Sequence, residues 1–473
     1  MDRRSPAEPG LGGRKGLMKK HLIFILVLAL AVLVPQPSPG AEMTPQKEKD
    51  IGRRFHLQLA AAGVLVDDPI MTDYFRTVSE RVLKGAGLKP GQFNFYIVQR
   101  RGLNAFAVPG GYIYINSETL YSLENEGQLA AILSHETAHL TAQHFARRLE
   151  ASSTTTAASV AAMLAGILVA SRSGGSAGAL GQALLTGGVG AGTQALLANS
   201  RDDEAEADAK GRDYLIKAGY QPRDMYGAFK IMLDKTYQLS PDLPTYLTTH
   251  PALTSRLASS FSDAAQAPPA PPDLRYLAFR DRVLAGCGDL QRAQSIFSRR
   301  LNADPKDHGA LHGLGLLAQR RQNLSQADQL MRQALALAPG HQSYLADLGD
   351  LALKRHQPAE AKGYYEKANN RLAVLGLARA SELLGDRTRA ATLYDKAIHM
   401  ESDEYLPALE LAGRFFGQIG QKDKGHFYLG RFFAGSGQIN QAVFHYQQVA
   451  GQFKAQADRE LKTLAEIKKE DRK

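Results

Sequence analysis

The feature that most constrains this chain is a period. Ala293, Ala327 and Ala361 stand at successive steps of 34 residues, and Pro305 with Pro339, Gly315 with Gly349, and Ala334 with Ala368 repeat that step. Phe297, Met331 and Tyr365 each follow the repeated alanine by four residues, on the same face of a helix one turn on. Four columns in register argue against accidental alanine spacing. Such a unit, with small residues where two helices touch and a proline at its end, predicts helix pairs that bury their faces against the next pair. A shorter step of 29 leads to Ala390, with Tyr394 and Ala397, and a looser unit holds Gly437, Ala442 and Tyr446.

This is the tetratricopeptide pattern, a curved α-solenoid whose concave face binds another polypeptide. It accounts for residues 274–473. Residues 264–273, AAQAPPAPPD, hold four prolines in ten and cannot continue a helix, so they predict a linker. A chain of 473 residues exceeds what one hydrophobic core organises, which leaves 41–263 as a domain of its own.

Lys19 and Lys20 precede a 13-residue apolar run, 22–34, followed by prolines and the small residues Gly40 and Ala41. A basic start, a short apolar run and small residues describe a secretory signal peptide over 1–40, too short for a comfortable membrane span. Met18 begins a more typical leader, which makes 1–17 a candidate misassigned start. The formal charge of +10 then divides: four units lie in 1–40, residues 41–263 carry −1, and residues 264–473 carry +7. With no basic block interleaved with aromatics, nucleic acid is excluded as a partner. The one cysteine, Cys287, excludes a disulfide scaffold and is expected to be a buried small residue.

The chemistry lies in the first half. Residues 126–149 read as one long amphipathic helix carrying His135-Glu136-Thr137-Ala138-His139. Four residues apart on a helix of 3.6 per turn puts both imidazoles on one face, where they can hold one zinc ion. Glu136 lies beside that metal and can act as general base towards a polarised water. A catalytic zinc needs a third ligand and an open position. The acidic run 202–208, DDEAEAD, offers Glu204 and Asp208 one turn apart, with Glu206 a close rival for the ligand role. Asp202 and Asp203 read as an acidic helix start favoured by the dipole. His144, five residues after His139, falls off the ligand face and reads as structural. The 14-residue apolar stretch 157–170 is too short to span a membrane and predicts a buried or lid-like helix pair over the cleft.

HExxH followed by EAEAD, preceded by Asn104 to Gly111 (NAFAVPGG) and followed by His250-Pro251 and Arg256, resembles the gluzincin peptidases of the HtpX and CAAX-prenyl-protease group. The leader and the repeats narrow the resemblance to the periplasmic BepA-type members. It implies a mainly α chain: an α+β zincin-like domain of helices and a small sheet, followed by the solenoid. It further implies one zinc per subunit on His135, His139 and Glu204, with Glu136 catalytic and Asp208 the supporting acid, often assigned as proton donor. The implied activity is a periplasmic endopeptidase of outer-membrane protein assembly and quality control. Its expected partners are misassembled outer-membrane proteins and, through the repeats, the assembly machinery, with at most peripheral membrane contact. A chaperone-like scaffold with latent peptidase activity is the competing reading. Residues 93–99 and 111–116 read as strands. Asn104, Ala105, Phe106 and Ala107 are candidates for an edge that pairs with an extended substrate. His250, held out of a helix by Pro251, is a candidate further ligand that closes the open position, or an oxyanion stabiliser.

Overall fold

The computed structural model describes residues 43–151, 199–239, 249–260, 273–368, 371–399 and 406–470. The leader, the apolar stretch 157–170 and nearly all of 264–273 lie outside them. Helices α1 (Pro45–Ala61) and α2 (Pro69–Gly85) come first. Each starts with a proline behind a capping side chain: Thr44 accepts from the Lys47 amide, and Asp68 from those of Ile70 and Met71.

Strands β1 (Asn94–Val98), β2 (Ala105–Val108) and β3 (Tyr112–Asn116) follow. Their order is β1-β3-β2, with β1 parallel and β2 antiparallel to β3. The two expected strands are β1 and β3. Because side chains alternate, both faces of this sheet are apolar. Ile97, Ala105, Ile113 and Ile115 join the core of α2, whereas Val98, Val108 and Tyr114 meet Ile51, Phe55 and Leu59 of α1. The β2–β3 turn needs glycine at Gly110: its φ is +82°, and a Cβ there would lie 2.7 Å from the Glu48 carbonyl oxygen.

Helix α3 (Ser117–Ser122) leads into α4 (Glu126–Thr141) and α5 (His144–Ala151). The single helix expected over 126–149 is thus two, because Ala142 caps α4 and Gln143 adopts a left-handed φ of +54°. Nor is α4 a half-exposed amphipathic helix. Every residue from Gly127 to His139 is buried, because α2, the sheet, α6 (Arg201–Lys217) and α7 (Pro222–Leu239) all pack on it. Helix α8 (Leu253–Ser259) packs on α7. No helix among the described residues is long and apolar enough to cross a membrane.

From Leu274 the chain is an α-solenoid of tetratricopeptide repeats. Its helix pairs are α9 (Leu274–Cys287) with α10 (Leu290–Ala303), α11 (His308–Arg320) with α12 (Leu324–Leu337), and α13 (Gln342–Lys354) with α14 (Pro358–Ala368). Then come α15 (Arg371–Leu383) with α16 (Arg387–His399), α17 (Leu406–Gln418) with α18 (Lys422–Gly435), and α19 (Ile439–Gln447) with α20 (Lys454–Glu470). Ala293, Ala327, Ala361 and Ala390 are fully buried, as are Phe297, Met331 and Tyr394. The repeated glycines receive the large residues: a Cβ on Gly315 would meet Met331 at 2.7 Å, and one on Gly349 the Tyr365 ring at 2.6 Å. Cys287 is half-buried, and burial pushes its thiol up to about 12, which leaves it unreactive.

The first repeat helix does not stand apart from the first half. Tyr276, Phe279 and Val283 of α9 belong to the same core as Leu129, Ile132 and Leu133 of α4. At the other end, Leu57 of α1 packs with the last repeats, where Gly437 lies against its carbonyl. Arg282 binds both Asp68, the cap of α2, at 2.8–3.0 Å and Asp347 of α13 at 2.6–2.7 Å, while His312 of α11 holds Asp347 at 2.8 Å. Burial pushes the Asp347 carboxyl up, but the Arg282 charge and the His312 bond outweigh it and hold the group at about 2. Its stabilising contribution is therefore complete above the ordinary Asp pKa near 4 and is lost as pH falls towards 2. Replacing Arg282 with alanine strands two carboxylates against each other and should cost about 3–5 kcal/mol in urea unfolding at neutral pH. A loss below about 1 kcal/mol, the range of an exposed pair, would show that this contact does not hold the halves together.

Candidate active site

The buried helix α4 presents His135 and His139 one turn apart, with their Nε2 atoms 3.0 Å from each other. Helix α6 is the second wall. It starts at a capping box, in which Ser200 and Asp203 exchange side-chain-to-backbone bonds. Glu204, Asp208 and Gly211 then fall at i, i+4 and i+7, on one stripe facing α4. Gly211 sets the approach, since a Cβ there would lie 3.0 Å from the His135 backbone nitrogen and Cα. The acidic run expected to face the histidine helix does so, and the missing side chain at Gly211 is why it comes so close.

Glu204 Oε1 and Oε2 lie 3.4 Å from His139 Nε2 and 3.5 Å from His135 Nε2. His250 brings Nδ1 within 3.0 Å of Glu204 and 3.4 Å of His135 Nε2. One ligand atom from each of His135, His139, Glu204 and His250 lies within 4.8 Å of the other three, and all four residues are buried. Glu206, the rival ligand, points away to His144 Nε2 at 3.1 Å.

This donor set fits a metal ion. Two imidazole nitrogens 3.0 Å apart in a buried site need something positive between them, a shared proton or a cation. Burial and the Arg256 charge push the His135 imidazole down, yet bonds to Asp208 and Glu204 outweigh them and lift it to about 9. Burial pushes the Glu204 carboxyl up, but the His250 charge and bonds to His135 and His139 hold it well below the carboxylate range. A carboxylate that stays ionised among converging imidazoles attracts a cation. Three imidazole nitrogens and one oxygen suit zinc at a tetrahedral site.

The other expected residues fall around that cluster. Neither carboxylate oxygen of Glu136 has a hydrogen-bond partner among the described residues, and burial raises its pKa from the ordinary value. Its nearest charged neighbour is His250, with Nε2 3.6 Å from Oε1. Asp208 approaches His135 Nδ1 at 3.0 Å and takes two bonds from Arg256, at 2.7 and 2.8 Å. Those bonds and charges keep Asp208 low against the upward push of burial.

β2 lies at one margin of the sheet, paired only with β3 among the described strands, and α4 packs against it. Asn104 is not part of a free edge. Its amide donates to the Thr119 hydroxyl, and its carbonyl accepts from that hydroxyl and from the Asn116 amide. Ala105 is buried in the core with α2, and Phe106 and Ala107, both half-buried, remain as the outer margin. Three participants carried no signal in spacing alone. Arg256 reaches Glu204 as well as Asp208 and lies 4.3 Å over the Phe229 ring. Asn199 donates to Glu204 Oε1 at 2.7 Å, and His144 approaches His139.

Gly211→Val tests the packing. Its branched side chain would enter the α4 backbone, an overpacking cost of about 1–3 kcal/mol. That exceeds the few tenths of a kcal/mol by which valine is the better helix former. We expect lower thermal stability together with weaker metal retention on dialysis; unchanged metal retention would detach helix spacing from ligand geometry.

Residues 69–260 match the model for Peptidase family M48. The beta-barrel assembly-enhancing protease of Escherichia coli strain K12 is 25% identical over 461 residues, covering 92% of this chain and 93% of that one. The Yersinia pestis protein of the same name is 27% identical over 378 residues, covering 78% of this chain and 76% of its own length. The mitochondrial metalloendopeptidase OMA1 of Schizosaccharomyces pombe is 28% identical over 186 residues, 39% of this chain and 51% of the relative.

Proposed function

We propose, on the premise of the match to Peptidase family M48 over residues 69–260, that the chain is a zinc-dependent endopeptidase of the periplasm acting on outer-membrane β-barrel proteins. The observation that carries this reading is the buried convergence of His135, His139, Glu204 and His250 beside a carboxylate, Glu136, that has no hydrogen-bond partner among the described residues. His135, His139 and Glu204 would hold the zinc. When bound, such an ion lowers the pKa of a water and polarises a carbonyl.

The chain's own residues do the rest. Glu136 is the general base: a carboxylate oxygen accepts the proton of the attacking water and returns it to the leaving amine nitrogen. Its raised pKa suits both halves of that transfer. Asp208, bound to His135 Nδ1 and clamped by Arg256, orients an imidazole, and this contact supports a positioning role over that of proton donor. Arg256 and Asn199 fix the Glu204 carboxylate. Ala105 to Ala107 offer a margin along which an extended substrate can pair.

His250 lies where a substrate carbonyl must enter, between Glu204 and Glu136. It acts as a latch, so the resting protein is restrained and must open to cleave. The leader at 1–40 supports export, and the relatives' names support action in β-barrel assembly. The repeats, in a region (264–473) of net charge +7, supply the surface that docks on assembly machinery.

Glu136→Gln should keep zinc and lower cleavage of an unfolded β-barrel polypeptide by about 10²–10⁴-fold. If that variant supports outer-membrane assembly as well as the parent protein, the scaffold reading replaces the peptidase reading. His250→Ala should raise cleavage of the same polypeptide several-fold by removing the latch. Loss of turnover with zinc retained would instead make His250 an oxyanion stabiliser.

A further inference from the structure

A metal-bound histidine holds its orientation by passing the other ring N–H to an acceptor, most often a carboxylate or a backbone carbonyl. His135 follows that rule through Asp208. His139 does not: its Nδ1 faces a third imidazole, His144 Nδ1, at 2.6 Å. We propose that His144 is a positioning residue for His139, carried in turn by Glu206, so that the two metal-facing imidazoles are set by different devices. The proposal rests on the metal reading above.

The hydrogen-bond logic runs in one direction. Glu206 Oε1 takes a bond from Lys210 Nζ at 2.7 Å and Oε2 one from Arg147 Nη2 at 3.1 Å, so both carboxylate oxygens face cations that only donate. An ionised carboxylate only accepts, so the 3.1 Å contact to His144 Nε2 requires a proton on that nitrogen. In the neutral ring His144 Nδ1 is then bare and accepts from His139 Nδ1–H. That leaves the lone pair of His139 on Nε2, the nitrogen turned towards His135 and Glu204. Glu206 thus selects the tautomer of His144, and His144 selects that of His139.

The backbone builds this contact. On an unbroken helix a residue five positions on is rotated by about 140°, away from His139. The left-handed Gln143 ends that path, and α5 starts afresh at His144 with its ring turned back and 1% exposed. The same break places Arg147 and Arg148, the next turn of α5, against Asp203 and Glu206 of α6. The ring contact is therefore held from both helices.

Zinc affinity of the full chain, measured by competition with a chromophoric chelator, tests this apart from turnover. His144→Ala should weaken zinc by about 10–100-fold, and Glu206→Ala should weaken it less but in the same direction. His144→Asn should restore part of the loss, because its amide oxygen falls near the position of Nδ1 and can accept from His139. The visible spectrum of the cobalt-substituted protein should shift in His144→Ala and return towards the parent's in His144→Asn. Glu206 is partly exposed, so its variant keeps the test sound if His144→Ala fails to fold. Parent-like zinc affinity in both alanine variants overturns the inference while the metal reading stands. A parent protein that binds no zinc overturns both.

Discussion

Everything at the candidate site depends on the complete burial of α4. A helix covered on every side cannot hand its polar groups to water, so each imidazole and carboxyl it carries must find a partner or bear the cost of desolvation. The partners come from four places. Helix α6 supplies Glu204 and Asp208, α5 supplies His144, α8 supplies Arg256, and residues 249–250 bring His250. Glu136 is the exception, buried with neither oxygen hydrogen-bonded among the described residues. A group left in that state stores free energy that a bound water or substrate can release, which fits the base role proposed for it.

Backbone approach decides the geometry as much as the ligands do. Gly211 lets α6 come within van der Waals contact of the His135 backbone, and the i, i+4, i+7 stripe then brings Glu204 and Asp208 to the histidines together. Gln143 acts at the other end by breaking α4. One residue without a side chain and one with a left-handed φ thus set the distances that the ionisable residues use. Neither would be chosen as functional from its chemistry.

That explains what was legible in the sequence. His135, His139, Glu204 and Asp208 were readable because helical spacing alone puts residues four apart on one face. The solenoid was readable because its contacts recur every 34 residues, as Ala293, Ala327 and Ala361 show. The choice of Glu204 over Glu206 turns on the rotation of α6 about its own axis, which the resemblance supplied and spacing did not. Arg256 comes from a separate segment brought in by folding, and Asn199 from just ahead of the α6 cap, off the helical spacing, so no periodic pattern announces either. His144 stays outside the ligand set, as expected, but the helix was read as unbroken, and the turn at Gln143 brings its ring back against His139.

The division into two halves changes meaning in the same way. Prolines in 264–273 break the chain into segments, but they do not separate cores: Tyr276, Phe279 and Val283 fill the core that also supports α4. At the far end Leu57 and Gly437 join α1 to the last repeats, and Arg282 links the cap of α2 to the third helix pair. A solenoid fastened at both ends is not free to swing as a tethered module. A partner that reshapes its concave face must strain either the Arg282 contacts or the α1 packing. The first lies at the start of α2, which packs on α4, and the second against the sheet that α4 also touches. Strain from binding on the repeats would therefore reach the histidine pair through these packed helices.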